Sequence, residues 1–528
     1  MEKASEMGRV SVTGSFHLFM GKTISTVIMA VGTIILGNLM LEEEYGLYAV
    51  ALIPPLMINL FQDWGISAAM TKYVAQNRAA NQEENIHDII TAGLIFKITI
   101  GLTLSLTSLF LANYIATTIF NRPETTTLIA IASLTILSDS LLTASQSNFN
   151  GFEKMGLNSL TIITQSIIKV TASTLLVLLG YGALGAVLGH TFSLLTAGII
   201  GLVMLYFLLF RKLPRKRNPH QPNTIKTLKT MLRFGVPLSI STILSGFLIQ
   251  FCAFIMAFYC NDTMIGSYQI AANFAVLLTF LTFPITTVLF PAFSKLDPKN
   301  ERQLLQTVFS SSVKYTAMFL VPATMAVMVL SKPMISTLFG QKWVHAPFFL
   351  TLYVITDLFI LFGRLILGSL LTGIGETKML LKLSLLTLLL GIPLAIILIP
   401  TYGIVGVIIG SLIAGIPSLF WGLYWIWKNY EVKADYKSSA KIFAASSLAT
   451  IITCLSLSFL NIAEWLQLAI GGTVFLTTYI LTAPIIGAVT QTDINNLRNM
   501  FSGLRIISKL FNIPLNVMKK LTKMHNTS

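Results

Sequence analysis

Residues 182–189 read Gly-Ala-Leu-Gly-Ala-Val-Leu-Gly, and residues 403–410 read Gly-Ile-Val-Gly-Val-Ile-Ile-Gly, so three glycines recur at an offset of 221 residues. Each motif opens an apolar stretch that is long enough to cross a membrane. Two such motifs at a fixed offset are typical of an internal duplication. The sequence therefore predicts two related halves, both embedded in a membrane.

Other residue pairs lie near the same offset, in the same order along the chain. The offset drifts only between 217 and 223 residues, which favours one ancestral duplication over chance. The pairs are Gly46 and Tyr48 with Gly266 and Tyr268, Gly151 and Glu153 with Gly373 and Glu376, Asp139 with Asp357, and Lys97 with Lys314.

The composition excludes a soluble globular protein, because 54% of the residues are hydrophobic and only 11% are charged. We predict an all-α, polytopic membrane protein with about 14 transmembrane helices. The predicted spans are 15–39, 46–70, 86–112, 125–148, 156–180, 184–210, 231–258, 264–292, 308–330, 346–371, 378–400, 404–428, 440–460 and 465–488.

The spans group into two pseudo-symmetric six-helix bundles and a terminal pair. Because each half has an even number of spans, the halves should be related by a twofold axis along the membrane normal. The predicted domains are an N-terminal bundle 1–210, a basic cytoplasmic linker 211–230, a C-terminal bundle 231–428, a terminal helix pair 429–488 and a basic cytoplasmic tail 489–528.

The 36 lysines and arginines are distributed one-sidedly. About 28 of them lie in the termini and in alternate loops, whereas the opposite loops hold only Arg122, Lys332 and Lys342. Positive charge marks the cytoplasmic side of membrane proteins. We therefore expect both termini in the cytoplasm of a multi-pass cell-membrane protein, and we assign the net charge of +15 to orientation instead of nucleic-acid binding.

The chain has no pattern that is typical of an enzyme. Its six histidines are scattered, and it contains no metal-binding HExxH motif, phosphate-binding loop or nucleophile elbow. The loops are also too short for a soluble catalytic domain. We expect no catalytic residues, no metal and no cofactor.

Several segments resemble the Wzx-type oligosaccharide flippases, within the superfamily of multidrug, oligosaccharidyl-lipid and polysaccharide exporters. The resemblance covers nearly the whole chain. The segments are Glu44-Tyr45-Gly46-Leu47-Tyr48, Gly151-Phe152-Glu153-Lys154, Arg233-Phe234-Gly235-Val236-Pro237-Leu238, Phe290-Pro291-Ala292-Phe293-Ser294 and Gly373-Ile374-Gly375-Glu376-Thr377-Lys378.

This resemblance implies two six-helix bundles around a V-shaped cavity and transport of a lipid-linked glycan across the cytoplasmic membrane. The partners implied are a polyprenyl-linked oligosaccharide and membrane lipids. A looser resemblance to drug and cation antiporters leaves one alternative open, a cation-coupled exporter of small amphiphiles.

Three cations lie deep inside predicted spans, namely Lys97, Lys169 and Arg364. A charge near the bilayer centre costs about 2.5–3.5 kcal/mol on insertion scales, so these side chains should face protein or water. One hypothesis is that they bind the phosphate-bearing headgroup of the substrate. The other is that they only neutralise buried carboxylates, Lys97 or Lys169 with Asp139 and Arg364 with Asp357, which lies two helical turns away on the same face.

Two further lysines, Lys22 and Lys314, lie near the cytoplasmic ends of their spans. They could line the cavity entrance or extend to the headgroups. Asp63 is either a residue at a helix end or a gating contact.

The repeat-related Asp139 and Asp357 could couple transport to protons or sodium ions, because burial makes a carboxylate easier to protonate. The alternative is uncoupled transport, drawn forward by removal of the glycan outside the cell.

Overall fold

The structure is a computed structural model that describes residues 2–214, 224–298, 300–501 and 515–522. Over these ranges the chain is helical, with no β-strand. Residues 215–223 of the predicted linker, and residues 502–514 and 523–528 of the predicted tail, lie outside the described residues.

Eight α-helices are described before residue 262. They are α1 (Glu2–Leu39), α2 (Glu42–Asn59), α3 (Ile66–Ala79), α4 (Glu83–Tyr114), α5 (Thr126–Gly151), α6 (Met155–Leu176), α7 (Gly182–Met204) and α8 (Thr224–Tyr259).

Nine α-helices are described after them. They are α9 (Asp262–Ser294), α10 (Arg302–Phe339), α11 (Ala346–Val354), α12 (Arg364–Gly373), α13 (Thr377–Tyr402), α14 (Ile404–Tyr430), α15 (Tyr436–Ser458), α16 (Glu464–Ile485) and α17 (Gln491–Phe501). The chain groups into two compact units, one of residues 1–269 with 392–407 and the other of residues 270–391 with 408–528.

Each of the fourteen predicted spans coincides with one helix, or with two helices separated by a break. The count of fourteen is nevertheless not confirmed. Among the described residues, ten helical runs are long and apolar enough to cross a membrane, or eleven if the bent pair Ala346–Phe362 and Arg364–Gly373 is one span. The predicted twofold relation between the halves stays a prediction.

The repeated glycines allow close helix packing in both halves. A Cβ atom added at Gly189 would lie 2.4 Å from the backbone nitrogen of Ser173, where α7 crosses α6. One added at Gly406 would lie 2.1 Å from the carbonyl oxygen of Leu398, between α14 and α13. Small residues at helix crossings permit this approach, so neither position has room for a larger side chain.

Candidate functional site

The second predicted span is broken between α2 and α3, and this break positions the site. Pro54 and Pro55 lie in the last turns of α2, which ends at Asn59. Trp64 and Gly65 then adopt left-handed backbone conformations, with φ of 46° and 74°, and α3 begins at Ile66. Residues 60–65 therefore leave the helical pattern, and the side chains around this break become available for contacts with other helices.

Lys97 of α4 is directed at this break. Its side chain is 1% exposed, and its Nζ lies 2.5 Å from Oδ1 of Asp63, whose side chain is 40% exposed. The ammonium group also donates to the hydroxyl of Thr143 on α5, at 3.2 Å. Gly101, one turn along α4, brings the two helices together, because a Cβ there would lie 2.5 Å from Ser140 Oγ. A buried cation thus meets a carboxylate that is open to its surroundings.

Asp63 also binds the first turn of α3. Its Oδ1 accepts hydrogen bonds from the backbone nitrogen of Ser67, at 3.1 Å, and from the Ser67 hydroxyl, at 2.6 Å. A carboxylate bound to the first turn of a helix in this way satisfies free N–H groups and is favoured by the helix dipole. The residue is therefore both a helix-end residue and the partner of Lys97.

Asp139 on α5 is held by two amides. Its Oδ2 accepts from Asn59 Nδ2 at 3.1 Å and from Gln62 Nε2 at 2.5 Å, and Gln62 Oε1 accepts from Ser140. No cation among the described residues lies within 4.0 Å of this carboxylate. The structure therefore pairs Lys97 with Asp63, and not with Asp139 as one sequence hypothesis had it.

Lys169 on α6 is partly buried. Within the described part of the chain it has neither a hydrogen bond nor a carboxylate within 4.0 Å. The neutralising partner that the alternative hypothesis required is thus absent from its described surroundings.

Arg364 and Asp357 are placed differently from the prediction. Residues Ile355–Phe362 form a 3-10 helix, Gly363 has φ of 91°, and the chain bends by 52° before α12. The expectation that both side chains share one face of a straight α-helix is wrong, because the glycine breaks the helix between them. Arg364 is exposed and donates to the carbonyl oxygen of Thr356 at 2.9 Å, with no ion pair to Asp357 shorter than 4.0 Å in the described chain.

The two lysines near span ends also differ from each other. Lys22 on α1 is exposed. Lys314 on α10 lies 2.7 Å from Oδ2 of Asp493 on α17, with side chains that are 15% and 6% exposed. Lys314 is therefore held by a carboxylate from beyond the repeat.

Three of the predicted site residues, Asp63, Lys97 and Asp139, thus meet in one network. Sequence reasoning missed Asn59, Gln62 and Thr143, which complete it. Gln62 was detectable as a polar neighbour of Asp63 in an apolar span, and Thr143 lies one helical turn after Asp139. Across the described residues, no group of three or more His, Cys, Asp or Glu side chains is arranged to hold a metal ion.

The chain belongs to the polysaccharide biosynthesis protein family, whose profile matches residues 11–297, more than half of the sequence. It is 24% identical to the lipopolysaccharide biosynthesis protein WzxC of Escherichia coli over 74% of this chain and 76% of that protein. It is 19% identical to the probable low-salt glycan biosynthesis flippase Agl15 of Haloferax volcanii, over 46% of this chain and 51% of that one.

Solved structures share the fold. The lipid II flippase MurJ, in an inward closed conformation, matches with a TM-score of 0.72 at 17% identity, over 89% of this chain and 98% of that one. A multidrug resistance MATE family transporter in an inward-facing conformation matches with a TM-score of 0.59 at 18% identity, over 76% and 94%. These findings confirm the resemblance to Wzx-type flippases and the all-α membrane fold.

Proposed function

We propose that this protein is a flippase that moves a polyprenyl-linked oligosaccharide across the cytoplasmic membrane, for the biosynthesis of a surface polysaccharide or glycan. The observation that carries the proposal is the Lys97–Asp63 pair at the α2–α3 break, a buried ammonium whose one close carboxylate among the described residues is itself accessible. The names of the relatives WzxC and Agl15 support the same substrate class.

The pair is suited to an anionic headgroup. Phosphate oxygens make short, charge-assisted hydrogen bonds to lysine and can replace a carboxylate in front of the ammonium. In the present conformation Asp63 occupies that place, which keeps Lys97 neutralised within the apolar helices. A bound headgroup would take over this role and release Asp63, so the cation is never left unpaired.

The other cations are assigned larger or smaller contributions to binding of the headgroup. Lys169 has no described carboxylate partner and Arg364 is exposed, so both are available for the headgroup. Lys22 and Lys314 contribute less, because Lys22 is exposed at a span end and Lys314 is already held by Asp493.

We further propose that the two six-helix bundles alternate in access, with both termini in the cytoplasm, the linker 211–230 between the bundles and the terminal pair and tail after them. The one-sided distribution of lysine and arginine supports this orientation. Asp139 and Asp357 are the candidates for coupling to protons or sodium ions. If transport ignores gradients of both ions, coupling through these carboxylates is excluded.

The test is a flipping assay in proteoliposomes that carry a fluorescent lipid-linked glycan, scored by the fraction of label that external dithionite can reach. Lys97→Met keeps the apolar stem of the side chain and removes the charge. The expected loss is about 10- to 100-fold in rate, the size of one charge-assisted hydrogen bond. Lys382→Met, at an exposed lysine of α13, is the matched control and should be neutral.

A double variant, Lys97→Met with Asp63→Ala, separates transport from folding. If the pair serves only to neutralise two charges, removing both restores activity. If Lys97 binds the headgroup, the double variant stays inactive while its abundance in the membrane is normal. A strain that lacks this protein tests the alternative of a small-amphiphile exporter, which the fold shared with the MATE transporter favours. That function predicts that the deletion strain becomes sensitive to drugs without trapping lipid-linked glycan.

A further inference from the structure

A cleft opens beside the α2–α3 break, where the first half of α8 approaches it. Its cavity volume is about 110 Å³, below the range of about 300–1,000 Å³ of pockets that enclose a whole small ligand, so it suits one unit of a larger ligand. Its lining includes Leu60, Asp63, Trp64, Leu238 and Ser239. All of these residues belong to one compact unit.

Two glycines pack backbone against backbone beside the cleft. A Cβ atom at Gly65 would lie 2.1 Å from the carbonyl oxygen of Gly235, and one at Gly235 would lie 2.6 Å from the carbonyl oxygen of Gly65. This backbone crossing leaves Trp64 with φ of 46°, a conformation that is unusual for a bulky residue. Such local strain persists only where the surrounding packing fixes it, and it concentrates at binding sites.

Ser239 in the cleft has no visible structural task. Its side chain is 7% exposed, and its hydroxyl has no hydrogen-bond partner among the described residues. A buried hydroxyl without a hydrogen-bond partner is unfavourable, so it calls for a ligand or another explanation. Because Ser239 lines the cleft, a ligand bound there could satisfy it.

Asp63 and Trp64 add complementary chemistry. The described contacts of the Asp63 carboxylate all use Oδ1, so Oδ2 can accept hydrogen bonds from a ligand. Trp64 lines the cleft and is 40% exposed, so part of its indole is accessible. Lys97 already balances the charge of Asp63. The Asp63 carboxylate and the Ser239 hydroxyl therefore place neutralised polar groups within a lining that is otherwise mostly apolar.

We propose that this cleft binds one sugar unit of the lipid-linked glycan, an inference that rests on the flippase function proposed above. A sugar ring has hydroxyl groups that can donate to Asp63 and exchange a hydrogen bond with Ser239, and it has an apolar face that packs on Trp64. Sites that hydrogen-bond a hydroxyl discriminate strongly against ligands that lack it. Asp63 would contact the sugar after the headgroup has displaced it from Lys97, so one carboxylate links recognition of the glycan to binding of the headgroup.

The experiment compares two ligands on the full-length protein in nanodiscs: lipid-linked glycan extracted from the host membrane, and polyprenyl phosphate without sugar. Ser239→Ala and Trp64→Leu should each weaken binding of the glycan lipid by about 3- to 10-fold and leave the sugar-free lipid unchanged. Ser239→Ala should not lower the unfolding temperature, because it removes a hydroxyl that has no described partner in the folded protein.

Thr324→Val is the matched control, since Thr324 on α10 also has a buried hydroxyl without a partner in the described chain. It should leave both affinities unchanged. The sugar site is overturned if both cleft variants bind the glycan lipid like the wild type, or if they lose both ligands equally. If they bind like the wild type while Lys97→Met loses both ligands, the flippase proposal survives without the sugar site. A wild-type protein that binds neither lipid would refute both the flippase function and the sugar site.

Discussion

Lys97 and Lys314 occupy related positions in the two halves, 217 residues apart, yet they are paired in different ways. Lys97 meets Asp63 at a helix break within its own half, and that carboxylate is open. Lys314 meets Asp493 on α17, and both side chains are largely buried. The two lysines that the predicted repeat aligns thus take their counterions from different parts of the chain.

The reason lies near the end of the second span in each half. The first half has Asp63 in its break, whereas the corresponding residues 281–285 of the second half read Leu-Thr-Phe-Pro-Ile and contain no acid. A lysine buried among apolar helices needs a carboxylate or a pathway to water. For Lys314 the segment after α16 supplies it. We infer that the first-half pair is built for exchange and the second-half pair for holding α17.

The largest effect should come from the backbone crossing that shapes the first-half break. Gly65→Ala would place a Cβ 2.1 Å from the Gly235 carbonyl oxygen and would also strain φ, so we expect a loss of more than about 3 kcal/mol in stability. The control is Gly375→Ala, which has φ of 82° but nothing within 4 Å, and should cost only about 1–2 kcal/mol. Folded yield and unfolding temperature in detergent measure both. Equal losses would show that the crossing does not fix the break.

The next effect concerns the flipping rate, and it compares variants of the two lysines. Lys97→Met should lower the flipping rate about 10- to 100-fold, because it removes a charged partner of the headgroup. Lys314→Met should lower it by no more than about 3-fold, because its ammonium is bound to Asp493. Both are measured in the dithionite assay. Equal defects would mean that the two halves use their lysines alike.

A third effect is expected in stability. Asp493→Ala leaves Lys314 mostly buried without its carboxylate, which should cost about 2–3 kcal/mol, less than for a fully buried pair. Lys314→Met combined with Asp493→Leu should recover most of this loss. Thermal unfolding distinguishes the three proteins. An unchanged single variant would refute the holding role that we assign to this pair.

The smallest effect should come from the neutral neighbour of Lys97. Thr143→Val removes the acceptor at 3.2 Å and should cost about 0.5–1.5 kcal/mol of stability, with Lys97 still paired to Asp63. Thr107→Val, at an exposed threonine of α4, is the control. A larger loss than that of Asp493→Ala would contradict the order proposed for the two pairs.

The site could be predicted from the sequence only in part. Lys97 and Asp139 were identifiable because charge is expensive within an apolar helix. The structure pairs Lys97 with Asp63, and it places the amides of Asn59 and Gln62 against Asp139. Both arrangements depend on the break between α2 and α3, which the hydrophobic periodicity of the sequence did not reveal. The prediction for Arg364 and Asp357 was wrong for the same reason. A separation of seven residues places two side chains on one helix face only if the helix between them is regular.

The sequence by itself determined the all-α membrane fold and the resemblance to the family, because hydrophobicity and motif order are properties of local composition and order. The internal duplication stays a prediction. Only the tertiary structure decided which charges pair, which hydroxyl is left without a described partner and where a cleft opens. Those features depend on ångström-scale approaches between helices distant in the chain, such as Gly65 against Gly235, and small changes in backbone angle decide them.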